Sequence, residues 1–230
     1  MGIENWELRI DQIRMLSNLK HRAELTEIMD DLTRPEQEFQ AAYHELKVIN
    51  EWLGGIRAIE RFLPQGSNLL MLDVAAGGCD VSEALLERKS CRIVALDLNL
   101  RGLRLAQRAV PVGGDALRLP FRDTTFDVVM ASLFFHHLSN DECVRVLAEM
   151  WRVSRRRVLV NDLHRHRVAY FSFRLLSRLF SKSPMVRHDG PVSVRRALRP
   201  KELLEIAQRA GIPARVYRSF PYRMVLVADR

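Results

Sequence analysis

The sequence predicts an α/β protein built on a doubly wound, Rossmann-like parallel sheet. Two observations support this: short apolar runs alternate with amphipathic helical patterns, and a small-residue turn follows the first run. The apolar stretch Leu69–Leu72 leads through Asp73 and the small residues 75–78 into a helical pattern from Val81. In such a sheet, ligands bind where a turn of this kind joins a strand to the next helix. We therefore expect the ligand site at this turn.

Length and composition suit one folded domain with an accessory segment. The chain has 230 residues, 47% of them hydrophobic, and no stretch reaches the ~20 uncharged apolar residues of a membrane-spanning helix. The first residues show no signal-peptide pattern, and three scattered cysteines suit neither a disulfide framework nor a zinc site. We expect a cytoplasmic protein without a metal.

The net charge of +8 is unevenly distributed. Residues 151–230 hold 19 Lys and Arg against 5 Asp and Glu, whereas residues 1–150 hold 17 against 23. A basic C-terminal third suits nucleic acid, an anionic membrane or an acidic partner, and it also suits a chain that merely favours arginine. Charge alone leaves these alternatives open.

The residues ahead of the first strand show a helical pattern. Apolar residues recur at helical spacing over 6–30, and glycine and proline stops delimit two further helices at about 35–53 and 56–63. We therefore assign residues 1–63 to an N-terminal helical cap and residues 64–230 to the main domain. Such a cap commonly serves as a lid or as a contact in a homodimer.

The remaining elements alternate as a doubly wound sheet requires. A helical insertion over residues 164–190 follows the fifth strand, and the last two strands form a terminal hairpin. After the first strand, the predicted strands are Arg92–Leu96, a short one near Val112, Phe126–Ala131, Val158–Asp162, Ala214–Ser219 and Arg223–Ala228. The predicted helices are Leu100–Val110, Asp141–Val153, Val168–Phe180 and one from Pro200 to just before Gly211.

Acidic residues stand at the ends of successive strands. Asp73 ends the first, Asp97 ends the second about twenty positions after the glycine turn, and Asp115 follows the third. In nucleoside-binding sheets, a carboxylate at the second of these places hydrogen-bonds the ribose hydroxyls. The three-glycine motif that cradles a dinucleotide pyrophosphate is missing, so nicotinamide-dependent chemistry is disfavoured.

The turn after the first strand resembles motif I of the class I S-adenosylmethionine-dependent methyltransferases, an acidic residue followed by G-x-G-x-G. Asp73 takes the acidic place, Gly77 matches the second glycine, and Ala75 and Cys79 replace the first and third. The resemblance implies sheet order 3-2-1-4-5-7-6 with an antiparallel last strand, and S-adenosyl-L-methionine as cofactor. It assigns cofactor binding to Asp73, Ala75, Gly77, Asp97, Leu98, Asp115, Ala116, Ala131 and Ser132.

Methyl transfer from a sulfonium needs the nucleophile, the methyl group and the sulfur in line and shielded from water. A phenolic acceptor also benefits from a general base, most often histidine. Five histidines follow strands four and five, and we single out His136 and His164 as candidate catalytic residues. A quinol is acidic enough that positioning alone could suffice, so the need for a base stays open.

The outer segments resemble small bacterial methyltransferases that accompany polyketide or quinone biosynthesis. The segments are 27–31, 132–138, 161–163, and 188–190 together with 193–196. They imply a small lipophilic acceptor methylated on a phenolic, polyketide or quinol oxygen, with carbon methylation as a variant. The stretch after the fourth strand has no Asn-Pro-Pro-Tyr-type motif, which argues against methylation of amino groups on nucleic-acid bases, and we expect no DNA partner.

Other interpretations remain at this stage. The Arg-rich C-terminal face could serve an RNA methyltransferase, and the altered glycine motif could mark a degenerate domain that binds cofactor weakly and acts as a scaffold. The aromatic and basic stretch 166–182 could form a lid over the acceptor, a peripheral membrane contact, or ordinary packing on the sheet.

Overall fold

A seven-stranded sheet forms the centre of the protein. The computed structural model describes residues 19–230. Its strands are β1 Leu69–Val74, β2 Cys91–Asp97, β3 Val110–Gly113, β4 Phe126–Ser132, β5 Ser154–Leu163, β6 Arg215–Ser219 and β7 Arg223–Asp229. The order is β3-β2-β1-β4-β5-β7-β6, and β7 runs antiparallel to both β5 and β6. The predicted strand order and the antiparallel last strand are confirmed.

Eight α-helices accompany the sheet within residues 19–230. They are α1 Glu36–Trp52, α2 Gly55–Glu60, α3 Asp80–Arg88, α4 Leu100–Leu103, α5 Asn140–Val153, α6 Arg167–Phe180, α7 Pro184–Arg196 and α8 Pro200–Arg209. Two short 3₁₀ turns, Ile28–Asp30 and Phe135–His137, complete the regular structure of this range. Over the same residues, no helix combines the length and the apolar character that crossing a bilayer requires.

The central strands are buried on both faces, as their unbroken apolar runs predict. Leu72 and Val74 of β1 belong to the core layer beneath α5 and α8. Met71 points to the opposite layer, where Ile59 of α2 and Leu85 of α3 cover the sheet. Successive side chains of a strand alternate between the two faces, so one short strand supports both layers.

The N-terminal residues differ from the helical prediction. No helix covers residues 19–27, and only the turn Ile28–Asp30 follows before α1. The expected helix over residues 6–18 lies outside the described residues. The predicted second and third helices are present as α1 and α2, while the division into cap and main domain stays a prediction.

The helix predicted over residues 100–110 is reduced to the single turn of α4. The Glu83 carboxylate accepts hydrogen bonds from the backbone N–H groups of Gln107, Arg108 and Ala109. These bonds replace the intrahelical partners that a longer helix would use, and the chain turns directly into β3. Periodicity alone could not reveal this, because the competing acceptor comes from a different helix.

The insertion contains a second helix, α7, that the sequence analysis did not predict. Gly190 and Pro191 lie in its middle, and both residues normally argue against a helix interior. Gly190 has a packing reason, since a Cβ there would stand 3.2 Å from the Phe173 ring of α6. Tertiary packing therefore overrides local propensity at this position.

The turn after β1 holds three residues in the left-handed region: Ala75 with φ +57°, Gly77 with φ +52° and Cys79 with φ +60°. Only glycine adopts this conformation without steric cost, and other L-residues lose roughly 1–2 kcal/mol there. Two of the three positions are therefore strained. They are the two at which alanine and cysteine stand in place of motif glycines.

Replacing Ala75 by glycine is expected to stabilise the fold by about 1 kcal/mol, because relief of the left-handed strain exceeds the extra chain entropy of glycine. Chemical denaturation of Ala75→Gly measures the change in the free energy of unfolding. The neighbouring Ala76→Gly is the matched control, since Ala76 has no positive φ and is buried; it should destabilise by about 1 kcal/mol. Equal destabilisation of both variants would contradict the assignment of strain.

Candidate active site

A cleft of about 440 Å³ opens at the carboxyl ends of β1 and β2. Small-molecule sites usually measure roughly 300–1,000 Å³, so this cleft can hold one. Six of the nine predicted cofactor residues lie in its wall. They are Ala75, Gly77, Asp97, Leu98, Asp115 and Ala116.

The other three lie beneath or beside this wall. Asp73 is buried, and its Oδ2 accepts a hydrogen bond from Ser82 Oγ at 2.6 Å. Burial raises the pKa of Asp73 to about 7, against the lowering effect of the Ser82 hydrogen bond. Ala131 is fully buried in β4, and Ser132 Oγ accepts from Asn161 Nδ2 at 2.9 Å. Asp73 therefore lies behind the cleft wall and supports the turn after β1 through its hydrogen bond with Ser82.

Asp97 is fixed from both sides at the end of β2. Its Oδ2 accepts from the Gly77 N–H at 2.8 Å, and its Oδ1 accepts from the Asn99 N–H at 2.7 Å. Burial raises the pKa of Asp97 above its ordinary value, while these backbone hydrogen bonds oppose the shift. A carboxylate has about four acceptor sites, so acceptor capacity remains for hydroxyl donors in the cleft.

The N-terminal segment supplies a wall that sequence reasoning missed. Tyr43 of α1 lines the cleft and lies against Gly78, where an added Cβ would stand 3.2 Å from its ring. Its hydroxyl accepts a hydrogen bond from Asn99 Nδ2 at 3.3 Å. An aromatic residue in an amphipathic helix has no local signal that separates this role from core packing.

A second, largely apolar cavity adjoins the cleft, and we call it the chamber. Both cavities have Met29, Leu133 and His137 in their walls. The chamber's other apolar lining residues are Leu46, Ile49, Leu163, Phe173, Met185 and Val186. Its polar lining residues, besides the shared His137, are Glu27, His136, Asp189, Ser193 and Arg223, and Gly190 completes the lining. Apolar walls with a few convergent polar groups are typical of ligand sites.

His136 is the predicted catalytic residue that lies at the chamber. Its ring Nδ1 stands 2.7 Å from Asp162 Oδ1, and its backbone N–H donates to Asp162 Oδ2 at 3.0 Å. Burial acts to raise the pKa of Asp162, but the His136 charge and hydrogen bonds outweigh it and hold that pKa below its ordinary value. Asp162 therefore fixes the orientation of the imidazole.

Glu27 faces the same histidine from the N-terminal segment. Its Oε1 lies 3.8 Å from His136 Nε2, and its Oε2 lies 3.7 Å from His137 Nε2. Burial raises the pKa of Glu27 to about 7, and the charges of His137 and Arg196 oppose this shift. Sequence reasoning did not connect Glu27 with the histidines, because more than a hundred residues separate them.

His164, the other predicted catalytic residue, lines neither the cleft nor the chamber. Burial lowers the pKa of His164 to about 4, and the positive charge of Arg218 and the neighbouring His166 add to the effect. Its ring centroid lies 5.8 Å from that of His166. In the described structure His164 is thus a neutral, half-buried side chain away from both cavities.

Comparisons with known proteins bear on the family and the fold of the chain. The family model described as a methyltransferase domain matches residues 72–160. The demethylmenaquinone methyltransferase of Thermotoga maritima is 30% identical over 158 residues, which cover 61% of this chain and 69% of that protein. The demethylmenaquinone methyltransferase of Thermobifida fusca is 38% identical over 98 residues, which cover 39% of this chain and 40% of that protein.

The identity and coverage of each match decide whether it shows the family of the chain or only its fold. The chain spans about two fifths of the length of the first curated relatives, as it does for the protein from Thermobifida fusca. A solved S-adenosylmethionine-dependent methyltransferase from Aquifex aeolicus superposes on this chain with a TM-score of 0.63 at 16% identity. The superposition covers 85% of this chain and 98% of that one, and at this low identity it shows the fold alone. The Thermotoga relative is matched over more than two thirds of its length. On that match, the chain belongs to the class I S-adenosylmethionine-dependent methyltransferase family.

Proposed function

We propose that the protein transfers a methyl group from S-adenosylmethionine to an oxygen of a small, lipophilic phenol or quinol. The observation that carries this proposal is the shared wall between the polar cleft and the apolar chamber. Met29, Leu133 and His137 line both cavities, so two ligands can meet there. Holding two reactants in contact and in line supplies a large part of the rate enhancement of a displacement.

The cleft fits a cationic nucleoside without phosphates. Its wall contains the carboxylates Asp30, Asp97 and Asp115 and, among the described residues, no lysine or arginine. Asp97 suits the ribose hydroxyls, and the segment from Gly114 to Ala116 suits the adenine. S-adenosylmethionine supplies an activated methyl group on a sulfonium with a neutral thioether as leaving group. The absence of cations from this part of the wall argues against a dinucleotide pyrophosphate.

The chamber has a volume of about 110 Å³, below the roughly 300–1,000 Å³ of a complete small-molecule site, so it suits the reacting end of the acceptor. Phe173 and Met185 give it apolar walls that keep water out, and Glu27 and His136 place basic atoms beside the boundary with the cleft. Since Asp162 holds the His136 Nδ1, the Nε2 is the ring atom that can act on an acceptor hydroxyl. The relatives named demethylmenaquinone methyltransferases support a quinol-type acceptor, and carbon methylation of such a ring remains the variant.

The arginine excess gives less support to an RNA substrate. Arg165 and Arg223 are almost fully buried, and they donate to the backbone carbonyls of Ala197 and Leu53 respectively. Arginines used in this way hold the structure together and are not available to phosphates. Because the chamber walls are largely apolar, the proposal takes a small molecule rather than RNA as the acceptor.

Loss of the Asp97 carboxylate is expected to weaken the binding of S-adenosylhomocysteine about 10- to 100-fold, since hydrogen bonds to a charged group contribute roughly 1.5–3 kcal/mol. Calorimetry on wild type and Asp97→Ala measures this. Asp123→Ala is the matched control, because Asp123 is 73% exposed and bonds only at the surface. Failure of the folded wild-type protein to bind would overturn the proposed function and favour the scaffold interpretation.

The two candidate histidines are expected to differ. His136→Asn should lower kcat for methyl transfer to a naphthoquinol about 100-fold or more, whereas His164→Asn should stay within about threefold of wild type. Mass spectrometry detects the methylated product, and NMR of that product distinguishes an O-methyl from a C-methyl group. Equal losses of kcat in both variants would show that lining the chamber does not distinguish a catalytic histidine from other histidines.

We further propose that α6 rests on an anionic membrane surface through which the acceptor arrives. Leu175, Leu179 and Phe180 are 59%, 64% and 77% exposed on this helix, and basic residues such as Arg178 flank them. Beside them lies a groove of about 700 Å³ that shares Leu163 and Phe173 with the chamber. Exposed apolar side chains together with cations are typical of helices that lie in a membrane interface.

Leu179→Glu is expected to reduce co-flotation of the protein with phosphatidylglycerol vesicles by about tenfold or more, because it places a charge in the apolar face. Val48→Glu, at an exposed position of α1, is the matched control and should leave flotation unchanged. Neutral phosphatidylcholine vesicles should bind less wild-type protein than anionic ones. Equal flotation of all variants with both lipids would count against this contact.

A further inference from the structure

Glu27, His136 and His137 point their free ligand atoms at one position. One ligand atom from each of the three residues lies within 4.8 Å of the other two, and both histidine Nε2 atoms stand within 3.8 Å of a Glu27 oxygen. Glu27 and His136 are 3% exposed, and Glu27 Oε1 is buried without a hydrogen-bond partner. A buried carboxylate oxygen normally has a partner, so this orphaned atom needs an explanation.

Both histidines are held in the orientation that metal ligands use. Asp162 Oδ1 stands 2.7 Å from the His136 Nδ1, and Asp30 Oδ1 stands 2.7 Å from the His137 Nδ1. A carboxylate on Nδ1 fixes the proton there and leaves the Nε2 lone pair free. Ligand histidines in metalloproteins almost always donate their second ring N–H to such a partner. Two of these pairs side by side are more than a single catalytic base requires.

The spacing also agrees with a metal. The Nε2 atoms of His136 and His137 stand 3.8 and 3.7 Å from the Glu27 oxygens, which is too long for hydrogen bonds. Two ligand atoms bound to one tetrahedral zinc ion stand roughly 3.4 Å apart, as bond lengths of about 2.1 Å require. To form a coordination site, the distances from Glu27 to the histidines would shorten by a few tenths of an ångström, and the distance between the two histidine atoms, which is at most 4.8 Å, by up to about 1.4 Å.

The charges of the cluster leave room for a dication. With neutral imidazoles, the carboxylates of Glu27, Asp30 and Asp162 face two nearby cations: Arg196, which lies beside Glu27 and Asp30, and Arg223, whose charge acts on Asp162. Arg196 also donates to the backbone carbonyls of His136 and His137, so it helps to hold the two rings in place. One negative charge then remains, and either a bound metal or a proton on Glu27 or a histidine balances it; zinc titration separates these two cases.

We propose that Glu27, His136 and His137 bind one divalent transition metal, with Zn²⁺ as the best match. Two histidines and one glutamate with an open fourth position form a ligand set found in catalytic zinc sites. All three residues line the chamber, so the open position can take an acceptor oxygen. With the His136 Nε2 bound to zinc, the metal rather than the imidazole would activate the acceptor hydroxyl, by lowering its pKa. This role for the metal rests on the proposed function, but metal binding itself does not.

The experiment is zinc titration of the full chain after treatment with a chelator and dialysis. Calorimetry and metal analysis should give one zinc per chain, and Co²⁺ should produce the visible absorption of a four-coordinate site with nitrogen and oxygen ligands. Glu27→Gln and His137→Gln should each weaken zinc binding by about 100-fold or more, beyond the 10- to 100-fold typical of outer-shell changes. His44→Gln, which removes an exposed imidazole from α1, should bind zinc as wild type does.

The outcomes distinguish the metal from the proposed function. If wild-type protein binds S-adenosylhomocysteine but no zinc, the metal site is overturned and the methyltransferase proposal stays intact. Protons would then balance the charge of the cluster. Zinc binding that survives in both ligand variants would also overturn the metal site. Stoichiometric zinc without S-adenosylhomocysteine binding would support the site and overturn the proposed function. Because Glu27 is buried and His137 is only half-buried, the His137→Gln variant is less prone to misfold than Glu27→Gln. Thermal unfolding verifies that both variants are folded.

Discussion

One buried carboxylate, Asp189, holds the N-terminal segment against the insertion, and the composition of both cavities depends on it. Its two oxygens accept from the backbone N–H groups of Ile28 and Met29 at 2.8 and 3.0 Å. These bonds satisfy donors at the start of a short 3₁₀ turn, which has no intrahelical partner for them. They also place Glu27 at the chamber and Met29 between the two cavities. The segment before α1 is therefore part of the site rather than an appendage to the sheet.

The sequence predicted the sheet well, because the determinants of its strands are local. Apolar runs such as Leu69–Leu72 and acidic strand ends such as Asp97 signal both the strand and the edge at which it ends. The chamber could not be predicted in this way. Its polar cluster joins Glu27 to a turn after β4, and only the folded chain brings these together. The second helix of the insertion was missed for the same reason, since Gly190 fits it only through contact with α6.

The turn after β1 shows how a motif can depart from its usual residues and keep its shape. Ala75 and Cys79 adopt the left-handed conformation that glycine would adopt without strain. The surrounding contacts fix this geometry. The Gly77 N–H donates a hydrogen bond to Asp97. The Gly77 carbonyl approaches Gly102 so closely that a Cβ at residue 102 would clash with it, so glycine is the residue that fits there. Small side chains are sufficient at two positions because the network, rather than intrinsic preference, determines the backbone.

The groove beside α6 and the cleft beside β2 share no lining residue. The groove meets the chamber at Leu163 and Phe173, whereas the cleft is bounded by Leu98 and Leu117 on the other side of the shared wall. In an enzyme with two such separate cavities, neither ligand has to leave before the other can bind. Under the proposed function, either substrate could therefore bind first, and an acceptor tail held in the groove would slow the release of the methylated product more than that of S-adenosylhomocysteine.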